Sequence, residues 1–144
     1  MSDQSARGAG HRLVPHVADV ILEAWGTTRV ACLEEAALGL VESFADIEDI
    51  EPTDRIPVSL RAVSDEDVLV LLLEEVIYVI EALGKVPLGV DLAEHADGSV
   101  GGFFATIPSE RVEAIGALPK GVSRSDLLFE RRNGQWRCHV LVDV

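Results

Sequence analysis

Apolar and polar positions along the chain change period several times, and each change predicts an element. Val20-Ile21-Leu22-Glu23-Ala24-Trp25 reads as a strand, ended by Gly26-Thr27-Thr28. Helical spacing follows. Leu33, Ala37, Leu40, Val41 and Phe44 fall on one stripe, with Glu34, Glu35 and Glu42 outside it and Thr28 placed to cap the start. Asp46 to Pro52 reads as an acidic loop. Ile56, Val58 and Leu60 then alternate with Pro57, Ser59 and Arg61, which predicts a half-buried strand that Pro57 confines to a sheet edge. Ser64-Asp65-Glu66-Asp67 opens a second helix, with Ser64 as cap and carboxylates at the positive end of the dipole. Its apolar spacing (Leu69, Leu72, Leu73, Val76, Ile80, Leu83) runs to Gly84. So many other positions are apolar that this helix must be buried on most sides.

The last 60 residues or so read as strands. Leu88 to His95 and Val100 to Ile107 flank Asp97-Gly98, and Val122 to Glu130 and Gln135 to Val142 flank Asn133-Gly134. Both dipeptides are hairpin turn signals. The predicted order is strand, helix, strand, helix and two hairpins. That is an α+β single domain with two helices packed on antiparallel or mixed β-sheet. Residues 1–10, rich in Ser, Gly and Ala, are expected to be a flexible N-terminal segment, and residues 11–144 the domain.

Composition narrows the function. The 144 residues carry 12 Lys+Arg against 25 Asp+Glu, a formal net charge of −13, with 48% apolar residues. A chain of this length and apolar content builds one core. Its average field has the wrong sign for gripping nucleic acid, so no direct stable nucleic-acid binding is expected. The charge is uneven: residues 111–144 hold 6 basic and 4 acidic side chains, a mildly basic quarter on an acidic body. Cys32 and Cys138, with no CxxC pair, read as reduced thiols of a cytoplasmic protein. The polar N-terminus lacks the apolar stretch of a signal peptide, and Val68 to Leu73 is too short to span a bilayer.

Familiar catalytic signatures are missing. No Gly-rich loop precedes a helix, and there is no HExxH, no GxSxG and no zinc spacing. Cys138 and His139 are adjacent on a predicted strand and point to opposite faces, so they cannot pair. The histidines at 11, 16, 95 and 139 are scattered, as expected of surface or internally satisfied residues. Two carboxylates stand out. Asp19 opens an apolar strand, and Asp143 follows Val140-Leu141-Val142 beside Val144 and its α-carboxylate. If the first and last strands are neighbours, three carboxylates converge. Such a set calls for a cation, and all-oxygen ligation favours Ca²⁺ or Mg²⁺ over zinc. The plain alternative is a strand-end aspartate beside a frayed terminus.

His16-Val17-Ala18-Asp19-Val20, Ala24-Trp25-Gly26, Ala36-Ala37-Leu38-Gly39-Leu40, Glu75-Val76-Ile77-Tyr78-Val79-Ile80-Glu81 and the closing Trp136-Arg137 … Val142-Asp143-Val144 together resemble the archease family in order and spacing. The resemblance runs from about His11 to the last residue. It implies a small acidic α+β protein, not itself an enzyme, that activates a GTP-dependent RtcB-type RNA ligase in tRNA splicing and RNA repair. It also implies a divalent cation, Ca²⁺ ahead of Mg²⁺, held by Asp19, Asp143 and Val144. Lys120 matches a functional lysine of the family and becomes a candidate contact to a partner or a phosphate. The chain departs from the family pattern at Val17, where Thr is usual, at Arg124 and Ser125, where Tyr and His are usual, and at Val30 and Ala31, where the helix start is usually acidic. The second helix also lacks the family's usual Glu-Trp pair before Glu75. These departures keep a second reading open, an archease-fold protein-binding module that has lost ligase activation. A third, a hydrolase using metal-bound water, lacks an obvious general base.

Overall fold

The computed structural model describes residues 8–15 and 19–144. Residues 1–7, most of the segment expected to be flexible, and His16-Val17-Ala18 of the first motif lie outside the described residues. The elements are β1 (Gly10–Pro15), β2 (Asp19–Gly26), α1 (Arg29–Glu42), β3 (Ala45–Asp46), β4 (Asp54–Leu60), α2 (Asp65–Leu83), β5 (Lys85–Glu94), β6 (Val100–Pro108), β7 (Glu113–Ala114), β8 (Gly121–Arg132) and β9 (Gln135–Asp143). All pairings are antiparallel. They form a four-stranded sheet in the order β1-β2-β9-β8, a three-stranded sheet in the order β4-β6-β5, and a short β3-β7 ladder.

Each helix touches both larger sheets: α1 packs on β1, β2 and β9 and on β5, and α2 on β8 and on β4 and β5. This is why α2 is apolar nearly all round. Val68, Leu69, Val70, Leu72, Leu73, Val76, Ile77, Val79 and Ile80 are buried along its length. On α1 the inner residues are smaller. Gly39 sits where a Cβ would come within 2.7 Å of Leu22 Cδ1 and 3.1 Å of the His11 ring, so its missing side chain lets β1 and β2 close on the helix.

Local signals formed as the side-chain chemistry dictates. Thr28 accepts from the Ala31 N–H and Ser64 from the Asp67 N–H, capping the two helices. Asn133 and Gly134 take φ of 54° and 74° in the β8–β9 turn, the left-handed pair that a two-residue hairpin needs. Pro57 lies in β4, an edge strand, the place in a sheet where proline is tolerated.

Three strands depart from the expected order. His11 to Pro15 carries no clean alternation, yet forms β1 as the outer partner of β2. The β3-β7 ladder is too short to show a period, and takes Asp46 from the expected acidic loop. β8 is not a plain strand either: its pairing to β9 shifts between Ser123 and Leu128, and Asp126 within the bulge has φ of 57°.

Candidate functional site

The four-stranded sheet brings the two ends of the chain's patterned region together. Asp19 opens β2, Asp143 closes β9, and the two are directly paired in the antiparallel register. The register is set by the face that must be buried. Leu22 with Val140, and Val142 opposite the half-buried Val20, point at the helices, so odd-numbered Asp19 and Asp143 are turned to the other face. Opposed residues of such a pair hold their Cβ atoms roughly 5 Å apart, and two like charges at that spacing repel. On the other flank of β9, Gly121 pairs with Asp143, and the Lys120 N–H donates to the Asp143 carbonyl at 2.7 Å. A Cβ on Gly121 would stand 3.9 Å from Asp143 Oδ2, so the glycine leaves open space beside that carboxylate.

The sequence-predicted residues therefore converge in part. Asp19, half-buried, and Asp143, exposed, are neighbours; half-buried Val144 follows Asp143 directly, and exposed Lys120 lies beside it through the backbone. Among the described residues Lys120 forms no ion pair. No group of three His, Cys, Asp or Glu side chains among those residues is arranged to hold a metal ion. A cation at this place would thus use two side-chain carboxylates and complete its shell from the Val144 carboxylate, backbone oxygens and water. That donor set is all oxygen and suits Ca²⁺ or Mg²⁺.

Arg124 belongs elsewhere. Its Nη1 donates to Asp67 Oδ1 at 2.7 Å, tying the β8 bulge to the first turn of α2 and holding the Asp67 carboxyl below its usual range. Cys138 and His139 do point to opposite faces. Cys138 is buried beside Cys32, while His139 Nδ1 lies 3.3 Å from Glu23 Oε2 on the outer face of the sheet. Glu23 also takes Arg12 Nε at 2.9 Å, and Arg12 lies over the Trp25 ring.

A second histidine cluster escaped the sequence reading. His11 of β1 faces α1, where its Nδ1 donates to Glu35 Oε1 at 2.8 Å and its Nε2 to Glu42. Hydrogen bonding to Glu35, aided by Glu42, raises the His11 pKa above its ordinary value against the opposing effect of burial. Glu35 and Glu42 are seven residues apart on one helix, so they share a face. Only the docking of β1 shows that this face meets a histidine. Glu34, one residue away, has a different task. Its Oε2 accepts from the Leu92 N–H at 2.9 Å on edge strand β5, and burial raises its pKa.

With the geometry established, comparison with known proteins places the chain. Residues 11–144 match the model of the Archease protein family. The "Probable protein archease" of Mycobacterium tuberculosis is 43% identical over 136 residues, spanning 94% of this chain and 75% of that protein. The "Protein archease" of Aeropyrum pernix is 26% identical over 134 residues, spanning 90% and 93%. The fold matches the solution structure of protein 1598 from Methanobacterium thermoautotrophicum, with a TM-score of 0.75 at 21% identity, covering 94% of this chain and 99% of that one. It also matches a crystal structure from Thermotoga maritima described as an archease and possible chaperone, with a TM-score of 0.65 at 20% identity over 92% and 96%. The family model and the mycobacterial relative both span nearly all the described residues, and so the chain belongs to the archease family.

Proposed function

We propose that the chain acts in the cytoplasm as an accessory protein to a GTP-dependent RtcB-type RNA ligase of tRNA splicing and RNA repair. In this reading it is not itself an enzyme. It holds a divalent cation, Ca²⁺ in preference to Mg²⁺, between Asp19, Asp143 and the Val144 carboxylate. The observation that carries the reading is the direct pairing of Asp19 with Asp143, two like charges set side by side where a cation relieves the repulsion. Lys120, exposed on the flank of Asp143, would meet a phosphate of nucleotide or RNA presented by the ligase. Family membership supports the reading as well.

The test is a multiple-turnover ligation assay with the cognate ligase. Ligase alone should stall after few turnovers, and added chain should restore turnover in Ca²⁺ or Mg²⁺. Lys120→Ala and Asp143→Asn should each lower the stimulation by at least tenfold. Equal turnover with and without the chain would end the activator reading. One observation favours the alternative of a protein-binding module without ligase activation. Arg124, at a position where the family pattern has Tyr, is taken up by Asp67 and turned to α2. The alternative predicts binding to the ligase with no stimulation, or binding to another protein altogether.

A further inference from the structure

One stripe of α2 is left open by the sheets, and it carries its own pattern. Leu71 and Tyr78 are 38% and 52% exposed, although Val70, Leu72, Leu73, Ile77 and Val79 around them are buried. Asp67, Leu71, Glu74, Tyr78 and Glu81 follow one another at alternating steps of four and three residues, so they share one face of the helix. Along that face carboxylates recur at 67, 74 and 81, and the apolar side chains stand between them at 71 and 78. Two turns, about 10 Å, separate Leu71 from Tyr78. Glu75 borders the stripe. Scattered exposed apolar residues are ordinary, whereas two in line on one face, each between carboxylates, form a patterned surface.

Neighbouring cations do not cancel this charge. Among the described residues Glu74, Glu75 and Glu81 form no ion pair. α2 packs on α1, β4, β5 and β8, whose basic residues are engaged elsewhere. Arg29 of α1 holds Asp65 and Glu94, Lys85 of β5 holds Asp54, and Arg124 of β8 holds Asp67. Arg55 of β4 lies over the Phe103 ring, 4.3 Å from its centroid. Arg131 and Arg132 close β8 at its hairpin end, roughly 20 Å along the strand from Arg124, which already sits at the first turn of α2. Near the last turn, Arg111 stands between Glu110 and Glu113 in the chain. Lys120, just ahead of β8, is also without an ion pair among the described residues, and one lysine against three glutamates leaves the stripe negative.

A nucleic acid or an anionic membrane would meet this stripe with like charge, and so, on average, would a second copy of a chain of charge −13. We infer that the exposed stripe of α2 is a docking surface for a Lys/Arg-rich protein, which seats Leu71 and Tyr78 in apolar pockets and sets basic side chains against Glu74 and Glu81. The inference rests on the reading above, in which that protein is the RNA ligase; an enzyme that holds RNA carries Lys and Arg in excess. The contact is separate from Asp19 and Asp143, which are turned to the other face of the four-stranded sheet. Affinity comes chiefly from Tyr78 and Leu71, and encounter rate and salt dependence from Glu74 and Glu81.

Titration calorimetry of the full chain against the purified ligase, at low and high salt, tests this. Tyr78→Ser and Leu71→Gln change exposed side chains, so melting temperatures should stay near wild type while affinity falls at least tenfold. Glu74→Lys with Glu81→Lys should weaken binding by a similar factor and flatten its salt dependence, and this pair decides the matter if Leu71→Gln is unstable. Glu48→Lys with Glu51→Lys makes the same change of charge on the exposed loop between β3 and β4, and should bind as wild type does. Equal losses in the two double variants reduce the effect to overall charge and overturn the docking surface. Wild-type affinity in Tyr78→Ser and in the Glu74, Glu81 pair also overturns it, and either result leaves the ligase reading standing. No binding by wild type overturns both. A wild-type dimer in sedimentation that Tyr78→Ser dissolves overturns it in favour of a self-interface.

Discussion

Asp19 and Asp143 stand directly opposite each other on β2 and β9, at the last rung of the central strand pair of the four-stranded sheet. Other rungs of that pair join apolar side chains, as between Leu22 and Val140. This one sets two carboxylates together on the outward face. Like charges directly opposite each other are destabilising, and a bound cation would offset that.

Asp143→Asn should accordingly separate binding from folding. Without divalent cations the variant should melt at or slightly above the wild-type temperature. With Ca²⁺ at about 100 times its dissociation constant, wild type should gain roughly 2.7 kcal/mol by linkage, and the variant little. Thermal denaturation with Ca²⁺ and with chelator reads the difference. An equal Ca²⁺ shift in both proteins would remove Asp143 from the proposed site.

His11 makes stability depend on pH. Its pKa is raised in the folded chain, chiefly by the hydrogen bond to Glu35. The stabilisation is therefore complete below the unfolded histidine value near 6.5, and it is lost as pH rises through the higher folded value. His11→Gln should cost more at pH 6 than at pH 8.5. A difference of about 0.5–1 kcal/mol is expected for a partly exposed charged cluster. Urea denaturation of both proteins at the two pH values gives it directly, and a cost that grew with pH would contradict the assignment.

Gly39→Ala sets propensity against packing. Alanine favours a helix over glycine by about 1 kcal/mol. The new Cβ, however, would press on Leu22 and His11, and overpacking a core costs roughly 1–3 kcal/mol. Net destabilisation of about 1 kcal/mol is expected by chemical denaturation, with the His11 pH dependence weakened in the same variant as its ring is displaced. A more stable variant would mean that β1 yields freely.

Cys32 and Cys138 are buried side by side as free thiols. The hydrogen bond to Cys138, together with burial, pushes the Cys32 thiol far above its ordinary pKa. Since the thiolate is the reactive form, iodoacetamide at pH 8 should leave both cysteines of the native protein unmodified. Alkylation should follow the rate of unfolding when denaturant is added. Rapid modification of Cys138 in native buffer would contradict the packing described for β9.

Much of the fold was legible one residue at a time, because its signals are local. Thr28 and Ser64 cap helices by accepting from the backbone three residues on, and Asn133-Gly134 turns a hairpin through its own φ values. The all-round apolar character of α2 likewise foretold a helix enclosed between layers, which is where it lies. β1 and the β3-β7 ladder were not legible. Their residues form strands because of what they pair with, and two- and six-residue segments are too short or too mixed for a period to show.

By itself, then, the sequence determined the two helices, the hairpins, the division into inward and outward positions, and the identity of Asp19, Asp143 and Lys120 as candidates. Only the tertiary structure decided that β2 lies beside β9, and so that residues 124 positions apart share one rung. It also decided that His11 meets Glu35 and Glu42, that Arg124 is drawn away to Asp67, and that Leu71 and Tyr78 of α2 stay open to solvent. The physical reason is range. Caps, turns and periods act over a few residues of backbone, whereas strand order and the meeting of charges follow from burying one shared core, which no single segment encodes.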